Sequence, residues 1–184
     1  MIILASSSPT RAKILEESGV KFIQKSCDFD EDSLKYEKPE HFVYHAAVGK
    51  MKICEEKFSL EIPLLTADTV VESGGKILRK AKNREEAKEI LLSQSGKSVS
   101  ILTCTFYKSK KLSFLDLSVT EYFFSPFDME DLESYLSSNE WEGKAGACMV
   151  EGFCKKYIKS VKGLESCARG LTIEKLLPFL DKDV

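Results

Sequence analysis

The sequence predicts an α/β fold: a mixed, twisted sheet with flanking helices. Three observations carry that expectation. Short apolar strand-like runs and helix-like stretches alternate through the first half of the chain. Two long β-branched and aromatic runs then stand next to each other, from about Ser98 to Tyr107 and from about Leu112 to Phe124. The length of 184 residues, 43% of them hydrophobic, matches one domain over 1–184 whose core needs no staple.

Taken in order, Ile2-Ile3-Leu4-Ala5 reads as a buried strand. A helix is expected from about Pro9 to Ser18, with Ser8 as N-cap, Pro9 at its first position and Gly19 past its end. Val20 to Lys25 reads as a second strand, and Cys27 to Asp32 as an acidic loop. From Pro39 to about Phe58, apolar residues recur at helical spacing: Val43, Ala46, Ala47, Met51 and Cys54. Ile62 to Val71 is an apolar run around Asp68, and Gly74-Gly75 predicts a hairpin turn before Lys76 to Arg79. Arg84 to Ser93 reads as a helix closed by Gly96, and Lys108 to Lys111 as a polar hairpin connection. Asp128 to Leu136 reads as a helix capped by Ser125 or Asp128. A glycine-punctuated stretch (Gly143, Gly146, Gly152) leads into a strand over Tyr157 to Val161, and Leu171 to Leu180 completes the pattern as a helix. There is no internal repeat or low-complexity tract.

Charge bounds the partners. The 27 Lys and Arg against 29 Asp and Glu leave a formal charge of −2, which argues against a nucleic-acid partner and allows a single small anion. No apolar run approaches the ~20 residues of a membrane helix, and no signal peptide is recognisable, so the expected location is cytoplasmic with the six thiols reduced. No cysteines show CxxC spacing and only His41 and His45 could assist them, which argues against structural zinc.

Four constellations could carry chemistry. In Ser6-Ser7-Ser8-Pro9-Thr10-Arg11 a strand gives way to hydroxyls and a helix opens at once. Free N–H groups and the helix dipole suit a phosphate there, with Ser6 and Ser8 donating and Arg11 forking onto oxygens. The plainer reading is an N-cap with a solvated arginine. Lys50 falls on the apolar stripe of the long helix, and must either snorkel to water or meet an anion. Asp68 interrupts an apolar run, as a general base, a metal ligand, or a carboxylate in a strand-end turn. Asp28 to Asp32 could supply carboxylates to Mg²⁺ or form a solvated loop. Gly96-Lys97-Ser98 is not a P-loop, because Leu91 stands where that motif needs glycine.

Together and in order, these segments resemble the Maf family of nucleoside triphosphate pyrophosphatases. The resemblance rests on Leu4-Ala5-Ser6-Ser7-Ser8-Pro9-Thr10-Arg11, Asp28-Phe29-Asp30-Glu31, the inward Lys50, Thr66-Ala67-Asp68-Thr69 and Arg79-Lys80-Ala81. It continues through Ser95-Gly96 with Thr103, then Lys144-Ala145-Gly146 and Glu151-Gly152. It implies two lobes around a cleft, as in inosine triphosphatase-like folds, and commonly a homodimer. It implies hydrolysis of a nucleoside triphosphate to the monophosphate and pyrophosphate with a divalent cation (Mg, Mn or Co), or else a nucleotide-binding regulatory module tied to septum formation with little turnover. By the same resemblance Asp68 is the proton acceptor, Ser6, Ser8, Arg11, Lys50 and Lys80 contact phosphates, and Glu31 and Asp68 hold the metal. Thr10, Thr69 and Glu151 fall where the family varies with the base, and here form a mixed set. The chain departs from the family at Gly163-Leu164-Glu165, where a Gly-Leu-Pro is usual, and at both residues flanking Lys80.

Overall fold

The computed structural model describes residues 1–180, and of Asp32 only the backbone. The Asp32 side chain of the acidic segment and residues 181–184 of the expected domain lie outside the described residues. Seven strands form one sheet: β1 (Ile2–Ala5), β2 (Phe22–Lys25), β3 (Leu64–Ser73), β4 (Lys76–Leu78), β5 (Ser98–Lys108), β6 (Ser113–Phe124) and β7 (Ile158–Lys162). Among the described residues six α-helices accompany them: α1 (Pro9–Glu17), α2 (Pro39–Phe58), α3 (Arg84–Gln94), α4 (Met129–Ser138), α5 (Glu165–Ala168) and α6 (Ile173–Leu180). The strand order is β2-β1-β3-β5-β6-β7, with β4 folded back on β3. β1 runs parallel to both β2 and β3, and every later pairing is antiparallel. The sheet is therefore mixed, as the alternation followed by adjacent long runs predicts.

The local chemistry accounts for the boundaries. Ser8 caps α1 by accepting the Arg11 N–H at 3.4 Å, with Pro9 opening the helix. Asp128, not Ser125, caps α4, its carboxylate accepting the N–H groups of Glu130 and Asp131. In α2 the entire expected stripe is buried, together with Phe42. α2 covers one sheet face, packing Val43, Ala46 and Ala47 against Val70 and Leu102. α1 and α6 cover the other face, where Ile14, Leu15 and Leu176 meet Leu4, Leu65 and Ala67. A third cluster, centred on Phe124, Leu132, Leu136 and Trp141, fills the far end beneath α3 and α4.

Two expectations need correction. Cys27 and Cys54 are bonded to each other, so the six thiols are not all reduced. The segment carrying Cys27 runs along α2 and brings its Cα within 6.1 Å of that of Cys54, inside bridging range. Cys104, Cys148, Cys154 and Cys167 are free. The acidic segment is also more ordered than a loop, because Glu31–Ser33 forms a 3-10 turn.

The site follows from the topology. β1 pairs with β3 only at Ile3↔Leu64 and Leu4↔Leu65, and then ends. β3 continues through Thr66, Ala67, Asp68 and Thr69 past the carboxyl end of β1. A cleft opens at that point, as the ends of parallel strands generally provide.

Candidate active site

The cleft has a volume of about 870 Å³. One wall is the loop from Ser6 to Arg11, the segment from Ser26 to Glu31 and Lys50 of α2; the other is Lys80 and the segment from Glu142 to Glu151. Asp68 lies on its floor. Lys80 is fixed to the second wall by an isolated antiparallel bridge to Ala145.

Asp68 lies in mid-strand and is 4% exposed, which excludes the turn reading. Side chains alternate along a strand, so Asp68 shares a face with Thr66, whose hydroxyl donates to the Ala47 carbonyl of α2 at 3.1 Å. That face is where Lys50 emerges. Its Nζ lies 2.6 Å from Asp68 Oδ1 and 2.6 Å from Glu31 Oε1, so it bridges two carboxylates instead of snorkelling. One ammonium hydrogen is left for a further acceptor.

The two carboxylates titrate in opposite directions. Burial pushes Asp68 up, and the Glu31 charge adds to it; Lys50 and Arg11 oppose, and the result lies above the ordinary 3.8. Burial also pushes Glu31 up, but Lys50, Lys80 and Arg11 outweigh it and hold Glu31 below the ordinary 4.5. Asp68 Oδ2 is buried with no hydrogen-bond partner among the described residues. A neighbouring carboxylate and an orphaned anionic oxygen form a donor set suited to a hard divalent cation, whose remaining ligands would be water and phosphate oxygens.

Arg11 enters from α1. Its Nε donates to the Gly170 carbonyl at 2.7 Å, Nη1 to Ser6 Oγ at 3.0 Å and Nη2 to Thr69 Oγ1 at 3.2 Å. Each terminal nitrogen keeps one hydrogen for a ligand. Burial lowers the Arg11 pKa, and the charges of Asp68 and Glu31 partly restore it. Ser6 Oγ also accepts the Ser8 N–H, while Ser8 Oγ accepts that of Arg11. Both hydroxyls thus act as acceptors within the fold, and their own hydrogens remain for an anion.

The sequence-predicted residues therefore converge: Ser6, Ser8, Thr10, Arg11, Glu31, Lys50, Asp68, Thr69, Lys80 and Glu151 all line the one cleft. Sequence reasoning missed Thr103 as a support. Its hydroxyl donates to the Cys167 carbonyl at 2.7 Å, so it accepts from Thr69 Oγ1 at 2.8 Å, and Thr69 accepts from Arg11. The alternation of β5 marks Thr103 only as a buried polar residue.

A cleft at the end of parallel strands that gathers Arg11, Lys50 and Lys80 above a carboxylate–lysine–carboxylate bridge marks an α/β protein with a polar, charged site. The model of the family described as Maf-like protein matches residues 1–183, and the chain belongs to that family. A protein of a Nitratiruptor species named nucleoside triphosphate pyrophosphatase is 58% identical over 178 residues, covering 96% of each chain. A Helicobacter pylori protein of the same name is 43% identical over 179 residues, 97% of this chain and 94% of its own. One from Campylobacter jejuni subsp. doylei is 37% identical over 183 residues, 98% of this chain and 100% of its own.

Proposed function

We propose that the chain acts as one domain that hydrolyses a nucleoside triphosphate to the monophosphate and pyrophosphate. The observation that carries this reading is the buried Asp68 carboxylate bridged through Lys50 to Glu31 on the floor of a cleft that also holds Arg11 and Lys80. The names of the whole-length relatives support it.

Asp68 takes the proton of a water as that oxygen bonds to the α-phosphorus. The bond from the α-phosphorus to the bridging oxygen breaks, and pyrophosphate leaves with its electron pair. A carboxylate pushed above its ordinary pKa is a better proton acceptor at neutral pH than an exposed one. Arg11, Lys50 and Lys80 offset charge on the phosphates, and Ser6 and Ser8 donate hydrogen bonds to their oxygens. Glu31 and Asp68 would hold a divalent cation (Mg, Mn or Co), which when bound neutralises phosphate charge. Thr10, Thr69 and Glu151, which line the cleft, bear on base selection, and the Thr69 hydroxyl also accepts from Arg11. The protein is taken to work in the cytoplasm as a homodimer.

The test is pyrophosphate release from a panel of natural and modified nucleoside triphosphates with each metal. The expected outcome is release from at least one member, reduced about 10²–10⁴-fold in Asp68→Asn, the range a general base supplies. Full turnover in that variant would remove Asp68 from the mechanism.

A further inference from the structure

The segment bearing Glu31 is fastened to α2 at several points. Cys27 is bonded to Cys54. Phe29 and Leu34 pack into the cluster built on Phe42, Val43, Ala46 and Ala47. Glu31 reaches Lys50. The Phe29 contact depends on an omission in α2. At Gly49, a Cβ would stand 2.3 Å from Phe29 Cε2 and 2.4 Å from Cζ, so any other residue there must displace the ring. Gly49 lies in mid-helix, where glycine costs stability relative to alanine, and no positive φ requires it. The position gives up helix propensity and gains room for an aromatic ring.

From this contact we propose that Phe29, seated on the bare α2 backbone at Gly49, is the positioning residue that carries Glu31 to Lys50. The proposal rests on the reading of Glu31 given above. Glu31 stands two residues beyond Phe29 and its Oε1 lies 2.6 Å from Lys50 Nζ, so a displaced ring carries a paired site group with it.

Gly49→Ala, Phe29→Leu with Gly49→Ala, and Glu31→Gln test it together. The readouts are kcat, KM, the melting temperature, and Mn²⁺ binding to the nucleotide-free protein followed by electron paramagnetic resonance. Gly49→Ala is expected to lower kcat by about 10²-fold, as a misplacement near 1 Å can. It should weaken Mn²⁺ binding and leave the melting temperature equal or higher, since alanine favours the helix. Shortening the ring in the double variant should restore most of both losses. Wild-type kcat in Gly49→Ala beside an impaired Glu31→Gln overturns the positioning and leaves the Glu31 reading standing. So does a loss that Phe29→Leu fails to rescue, or one that comes with a fall in melting temperature. Wild-type kcat and Mn²⁺ binding in Glu31→Gln overturn the Glu31 reading and the proposal with it.

Discussion

At the scale of single residues, the site is governed by a competition between burial and charge. Asp68 and Glu31 face the same ammonium, yet the more buried one rises and the more accessible one falls. In the metal-free protein, carboxyl NMR should therefore place the Asp68 transition above 3.8 and that of Glu31 below 4.5. Glu31→Gln removes a negative neighbour and should move Asp68 down; Lys50→Met removes a positive one and should move it up. Movement the other way in either variant would refute the assignment of causes. The effects on folding oppose each other. The contribution of Asp68 is present below its unfolded value and is lost as pH rises through its higher folded value. That of Glu31 is present above 4.5 and is lost as pH falls through its lower folded value. Much of this site is legible in the sequence, because a lysine on an apolar stripe and an aspartate in an apolar run are each anomalies that point to a partner. The role of Thr69 and Thr103 as supports of Arg11 is not legible, although the resemblance includes both, since threonine in a strand is ordinary and their relay crosses β3, β5 and α5. Thr103→Val keeps the shape but leaves the Thr69 hydroxyl without its acceptor. We expect a loss of about 1–3 kcal/mol in chemical denaturation, with KM raised more than kcat is lowered because Arg11 loses its support. Thr103→Ser should recover both.

At the scale of elements, periodicity and caps explain why α2, β3, β5 and β6 are readable almost to their ends. Their hydrophobic patterns are long, and Pro39 and Asp128 mark helix starts by local chemistry. The four-residue helix α5, lying between Gly163 and Gly170, is too short to show a period. The segment from Cys27 to Leu34 hides its order for a different reason. That order comes from contacts with α2, residues away in sequence, and not from its own composition. The bond between Cys27 and Cys54 closes a separation of 27 residues. On chain-entropy grounds it should contribute about 3.5 kcal/mol to stability. Urea denaturation with and without a thiol reductant, beside Cys27→Ala, measures this. The reductant should lower the wild-type midpoint and leave that of Cys27→Ala unchanged. Equal midpoints for the wild type in both conditions would mean that the bond adds nothing.

At the scale of the whole molecule, a formal charge of −2 and a cation-lined cleft make one statement. On the outer surface, exposed pairs such as Lys13–Glu17 and Lys110–Glu61 contribute little. Arg11, Lys50 and Lys80 are brought together from distant parts of the chain into one cleft, where Glu31 and Asp68 are the carboxylates that meet Lys50. If the cleft takes a nucleoside triphosphate as proposed, one compact triphosphate should bind there and an extended phosphate backbone should not. A hydrolysable or non-hydrolysable nucleoside triphosphate at about a hundred times its Kd should therefore stabilise the fold by about 2.7 kcal/mol, read as a rise in melting temperature. Lys80→Gln, on the exposed wall of the cleft, should remove part of that rise without destabilising the free protein. Added salt should weaken triphosphate binding by screening, while duplex DNA at equal phosphate concentration should not compete. Competition by duplex would show that the surface, and not the cleft, is what the phosphates meet.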